Sequence, residues 1–210
     1  VENFGMAIGG IANIADFDTS GSETEGTGDA EVTTATAAES HNFPSVFVEF
    51  AARGERAGVT VGAEYIPFTA LLGHKTRVDA ESPADRDSDD GTYSAKAEMS
   101  DIGTIYIEPT FYINESFGLY VKAGMTHAQV DSLEAIEFGG NSSKYGDKGV
   151  WGSMFGVGLR GTHASGLFIK IEHIEQDFDT IELKSGTGNV NTIKADIDET
   201  ATRVALGYQF

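Results

Sequence analysis

Three groups of residues in this 210-residue chain have the types and spacing to do chemistry. The first is a set of carboxylates at alternate positions. Asp16-Phe17-Asp18-Thr19-Ser20-Gly21 opens like a calcium loop, in which oxygens at every second position wrap a hard cation and a glycine makes the sharp turn. The twelfth position of such a loop needs a bidentate glutamate, and here it is Thr27. Asp85, Asp87 and Asp89 repeat the spacing, but Gly91 comes one residue late and the twelfth residue is Lys96. These five aspartates are read as weak contacts for divalent cations within solvated acidic stretches, and no metal site is assigned.

The second group is His127 with Asp131 and Ser132, the best placed of the histidines for general-base work. Hydrolysis or acyl transfer needs a nucleophile, a base and a carboxylate converging on one point. No recognised motif joins these residues to His41, His74, His163 or His173. The expectation is a protein that is not an enzyme, without catalytic residues and without a cofactor. The chain has no cysteine, so no disulfide or thiolate site enters the reading. Its net charge of −19 excludes generic nucleic-acid binding, which needs a basic surface.

The third group is nine charged residues that fall inside apolar, alternating segments: Glu49, Arg53, Glu64, Glu108, Lys122, Arg160, Lys170, Glu172 and Arg203. Each is on the parity opposite the large apolar side chains. A strand sends successive side chains to opposite faces, so one face gathers the charges and the other the aliphatic and aromatic groups. With acids mostly from the early strands and bases from the later ones, the nine are expected to form a buried network, with Glu64 and Glu108 facing Lys122, Arg160 and Arg203.

Eight segments show this alternation, at about 3–14, 43–53, 57–66, 102–113, 117–130, 150–161, 167–174 and 202–210. The last is the clearest: Thr202, Val204, Leu206, Tyr208 and Phe210 oppose Arg203, Ala205, Gly207 and Gln209. Pro109 interrupts the fourth segment, where a bulge or a locally broken bond is expected because proline cannot donate to a ladder. Short turns follow the second, fourth and sixth strands, at 53–56, 114–116 and 163–166. Long polar connections follow the first, third, fifth and seventh, at 15–42, 67–101, 131–149 and 175–199. Those connections hold 26 of the 33 acids and 8 of the 14 bases, and hence almost all of the net charge. An up-and-down meander with this strict alternation puts every long connection at one end and every short turn at the other.

Parity alone leaves open whether the apolar face points into a soluble barrel or out into lipid. Aromatics near the strand ends favour lipid: Phe4, Phe111, Phe117, Tyr208 and Phe210 toward the short turns, Tyr65 and Trp151 toward the long connections. Glycines on the charged face suit a crowded interior. No run of apolar residues is long enough for a membrane helix.

The aromatic-ended terminal segment Val204, Leu206, Tyr208 and Phe210, with the eightfold pattern, resembles the small eight-stranded outer-membrane barrels: the transmembrane domain of outer membrane protein A and the OmpX, Opa and OmpW types. The resemblance implies an all-β, antiparallel up-and-down transmembrane barrel over 1–210, with four long extracellular loops and three short periplasmic turns. It implies a location in the bacterial outer membrane with the signal peptide removed and the termini periplasmic. Val204, Leu206, Tyr208 and Phe210 would be read by the barrel-assembly machinery. Partners would be outer-membrane lipid and, at the loops, divalent cations, neighbouring outer-membrane proteins or extracellular proteins. Phe47, Tyr106, Tyr112, Tyr120, Met154 and Phe168 point to the charged face and are expected to plug the lumen, leaving a surface-recognition scaffold. The alternatives are a narrow, porin-like channel for small solutes of the OmpW type and, behind it, a lipid-modifying barrel enzyme.

Overall fold

A computed structural model describes residues 3–26, 31–79, 91–136, 145–186 and 190–210. Among them there is no helix. The strands are β1 (Asn3–Glu25), β2 (Glu31–Arg53), β3 (Ala57–Ile66), β4 (Ala70–Asp79), β5 (Gly91–Tyr112), β6 (Phe117–Ile136), β7 (Asp147–Thr162), β8 (Leu167–Phe178), β9 (Ile181–Lys184) and β10 (Thr192–Gln209).

Every pairing is antiparallel, in the order β1-β2-β3-β5-β6-β7-β8-β10, and β10 returns to pair with β1 from Ala7–Gln209 to Thr24–Thr192. The result is a closed ring of eight staves. β4 continues the stave of β3 along β5, and β9 continues that of β8 along β10. The break between β3 and β4 contains Pro67, which has no N–H to give a ladder. Closure removes the open edges that a flat sheet would expose.

The strands run well past the boundaries expected from apolar alternation. Most of the four long connections is ordered hairpin arm: β1 and β2 stay paired from Asn3–Arg53 out to Glu25–Glu31, and β5 and β6 out to Tyr93–Ile136. The reason is compositional. These arms are rich in Thr, Ser and Ala, so hydrophobic alternation fades, while a neighbouring strand still pairs their backbone groups. The three connections at the other end are short. Gly54 N–H donates to Ala57 O, Ile113 N–H to Phe117 O and His163 N–H to Leu167 O. Gly166, at φ 93°, makes a bend that a side chain would disfavour.

At Pro109 the β5–β6 ladder lapses between Ile107–Ala123 and Thr110–Tyr120 and resumes in the same register. The bulge of β5 lies elsewhere, between Ser100 and Gly103, where Asp101 takes φ 50°.

The ring turns its apolar parity outward. Leu206 is 57 % exposed and Phe155 57 %, whereas Glu108 is 0 % exposed and Lys122 1 %. Phe47, Tyr106, Tyr112, Tyr120, Met154 and Phe168 are all buried inside. The inward glycines make room for these rings. A Cβ on Gly62 would run into Tyr106, one on Gly158 into Tyr120 and one on Gly207 into Phe168, each the residue directly across the ladder.

Candidate functional site: the buried charge chain

Eight of the nine charged residues picked out by parity meet inside the ring. They alternate in sign as Glu64, Arg203, Glu172, Lys122, Glu108, Lys170, Glu49 and Arg160. Arg203 Nη2 lies 2.7 Å from Glu64 and 2.6 Å from Glu172. Lys122 Nζ sits 2.6 Å from Glu172 and 3.5 Å from Glu108. Lys170 Nζ bridges Glu108, at 2.8 Å, and Glu49. Arg160 closes the series 3.6 Å from Glu49.

Each charge comes from the inward parity of its strand: Glu49 from β2, Glu64 from β3, Glu108 from β5, Lys122 from β6, Arg160 from β7, Lys170 and Glu172 from β8, Arg203 from β10. Charges in such a place persist only when paired and hydrogen-bonded. Neutral donors add further bonds to three of the carboxylates. Tyr106 OH donates to Glu49 at 2.7 Å, Tyr120 OH to Glu172 at 2.8 Å and Ser45 OH to Glu64 at 2.6 Å. Aromatic faces receive the cations: Lys122 lies 4.4 Å from the centre of the Tyr106 ring and Arg160 3.9 Å from that of Phe168.

Arg53 is not a member. It lies one ladder step from the short-turn rim, where its guanidinium stacks on Tyr112 at 3.8 Å and donates to the carbonyl of Glu115 at 2.7 Å. Its parity is inward, but at the last position of β2 the lumen already opens to the rim.

Two features escaped the reading of alternation. Glu199 is buried on β10, its carboxylate held by Gln176, which in turn accepts from Thr126; Thr126 and Thr104 share a hydrogen bond at 2.8 Å. Toward the long connections the lumen is filled by an apolar cluster that includes Phe17, Phe43, Ile66, Leu72, Met99, Ile102, Phe178 and Ile197. Most of these residues lie within the long polar connections. The signal was present: Ile197, Glu199, Ala201 and Arg203 carry one parity straight through the supposed loop boundary.

The other candidates do not converge. Residues 16–21 are extended strand paired on both sides, so they cannot wrap a cation as a calcium loop does; Asp16 accepts from Ser40 and both Asp16 and Asp18 point outward. Asp85, Asp87 and Asp89 lie outside the described residues. His127 faces outward with its ring edge against Trp151, 4.9 Å between centres. Among the described residues no group of three metal-binding side chains could hold an ion.

The terminal residues fasten the ring. Phe210 N–H donates to Met6 O at 2.8 Å, and the Tyr208 and Phe210 rings meet edge to face at 5.1 Å.

A family model described as the outer membrane protein beta-barrel domain matches residues 1–210. Comparison with curated proteins returns no match. Among solved structures, OprG from Pseudomonas aeruginosa is similar at 16 % identity and a TM-score of 0.47, with 96 % of each chain covered. Ail of Yersinia pestis, in complex with the heparin analogue sucrose octasulfate, is similar at 12 % identity and a TM-score of 0.39, covering 93 % of this chain and 98 % of that one. Neisserial surface protein A is similar at 8 % identity and a TM-score of 0.35, covering 95 % of this chain and 97 % of that one.

Proposed function

The chain belongs to the outer membrane protein beta-barrel domain family, and from that premise we propose that it is a sealed barrel whose task is to hold acidic hairpin arms at the bacterial surface for recognition. In this reading the short turns and both termini are periplasmic and the paired arms extracellular. Val204, Leu206, Tyr208 and Phe210 are the strand read by the barrel-assembly machinery.

The observation that carries the reading is the buried chain of alternating charges, capped toward the long connections by the apolar cluster. An eight-stranded ring is only wide enough for side chains to fill it. A chain of paired charges stiffens that filling, since moving one member leaves its neighbours unpaired. The barrel then serves as a rigid base. The arms can vary in sequence at little cost to it, as loops on a rigid scaffold do. Their acidity attracts cations, basic patches on extracellular proteins or basic faces of neighbouring membrane proteins, and repels anionic partners.

Planar-bilayer recording of the purified barrel tests the sealed lumen. The expected trace is flat. Steady ion-conducting openings would replace this reading with a narrow channel.

A further inference from the structure

Among the described residues the lumen buries five carboxylates, Glu49, Glu64, Glu108, Glu172 and Glu199, and four cations, Lys122, Arg160, Lys170 and Arg203. The alternating chain uses four of each, and Glu199 is the acid left over. It is 2 % exposed, and its one hydrogen bond among the described residues comes from the Gln176 amide. A buried carboxylate without a cation is costly to ionise.

The surroundings offer it no further charge. Its partner on β1 is Phe17 and its partner on β8 is Gln176; β7 contributes Met154, which pairs with Gln176. Thr126 on β6 and Thr104 on β5 continue the hydrogen bonds. The charges that act on Glu199 are Arg203, on its own strand, and Glu64; Arg203 is held between Glu64 and Glu172. His41 packs on the Phe17 ring at 5.8 Å and bonds to Leu71 O. Phe17 and Ile197, the inward neighbours of Glu199, belong to the apolar cap. Glu199 therefore sits at the junction of the charge chain and the cap. The adjacent Asp198 lies outside, beyond the apolar band, so this part of β10 is past the lipid-facing wall.

The hydrogen bonds at Glu199 can run in two directions. With the carboxylate ionised, the Gln176 N–H donates to it and the Gln176 carbonyl accepts from Thr126. With a proton on Glu199, its O–H donates to the carbonyl of a turned-over Gln176 amide, whose N–H donates to Thr126, and Thr126 donates to Thr104. Each group has the donors and acceptors for both arrangements. The second leaves no net charge beneath the cap.

We propose that Glu199 is a proton-binding site that governs how firmly the apolar cap and the hairpin arms above it are held. Protonated, it balances the lumen and lets the cap close on a neutral chain of hydrogen bonds. Ionised, it leaves one uncompensated charge under the cap and favours local opening to water. Burial pushes its carboxyl up to about 7, against the pull of Arg203 and the Gln176 bond. Opening to water would restore an ordinary value of about 4.3. The closed state binds the proton more tightly, so opening becomes easier as pH rises from about 4.3 to about 7 and levels off above.

Amide hydrogen exchange of the full chain in nanodiscs tests the switch, with protection corrected for the intrinsic pH dependence of exchange. An Asp198→Asn background removes the titration of the neighbouring carboxyl. Protection of the β1 and β10 amides around Phe17 and Ile197 is expected to fall about tenfold from about pH 5 to about pH 6, the slope of one proton released on opening. Glu199→Gln, which keeps the shape and cannot ionise, should hold the protected level at both pH values. No fall in the parent, or an equal fall in Glu199→Gln, would overturn the proposal. Infrared spectra of the unaltered chain carrying carboxyl-labelled glutamate give a reading that needs no variant. A protonated-carboxyl band should persist above about pH 6 and vanish above about pH 8; ionisation of every labelled carboxyl by about pH 6 would equally overturn it.

Discussion

Arg203 and Glu172 stand directly opposite each other on β10 and β8, and the guanidinium donates to the same carboxylate oxygen from Nε at 2.9 Å and approaches it from Nη2 at 2.6 Å. Nη2 also reaches Glu64 at 2.7 Å, across the lumen on β3. One cation thus joins two staves that are not neighbours in the ring.

Removing that cation leaves two buried carboxylates without their shared partner. Arg203→Ala is expected to destabilise the folded barrel by about 3–5 kcal/mol, the range for breaking a buried pair on one side. Urea unfolding in lipid vesicles measures it. Removing Glu172 as well should cost less than the sum of the two single changes, because the partner left unpaired is then also gone. Strict additivity would show that the pair does not act as a unit.

The cross-strand pairing of inward glycines with rings sets a second expectation. A Cβ on Gly158 would collide with the Tyr120 ring, whereas one on Gly10 would find only Ser45 O at 3.6 Å. Gly158→Ala should therefore cost about 1–3 kcal/mol through overpacking, and Gly10→Ala little. Equal unfolding midpoints for the two variants would sink the packing account.

Val121 faces outward on β6, half-exposed in a wall of aliphatic and aromatic groups. Val121→Arg should destabilise by about 2–4 kcal/mol if it sits at mid-bilayer depth. The check is the unfolding midpoint in vesicles against a matched Val121→Leu variant. A neutral arginine would contradict a lipid-facing wall.

Asp18, Asp198 and Asp177 align directly across β1, β10 and β8 on the outer surface, beyond the apolar band. Desolvation raises the Asp198 carboxyl above its ordinary value, with the hydrogen bond that its protonated form donates to Asp177 and the Asp177 charge next, then Asp196 and Asp18. A raised carboxyl binds its proton more tightly in the folded state, so this group favours folding in acid and opposes it as pH rises above the usual carboxylate range. Asp198→Asn should thus raise the unfolding midpoint at neutral pH and lose that advantage near pH 4. A gain of the same size at both pH values would rule the repulsion out.

Much of the fold is legible along the chain because a strand has a period of two. Glu64, Glu108 and Lys122 need only a count of parity to be placed on the face opposite Val61, Ile105 and Val121. Alternating long and short connections then give the meander, and Phe210 its closing strand. Local pattern ends where composition turns to Thr, Ser and Ala. There the strands continue because a neighbour pairs their backbones, which no single segment reveals; the arms of β1 and β2 and the burial of Phe17 belong to that class.

Which side chains share a face is readable along the chain, since that follows from the alternation of a strand alone. Who meets whom comes from the folded ring: the charges form an alternating series from Glu64 to Arg160, Arg53 stays at the rim, and Glu199 joins Gln176. Those contacts depend on register and ring closure, which bring residues from distant strands across the lumen, and no spacing along one strand encodes a distance across the ring.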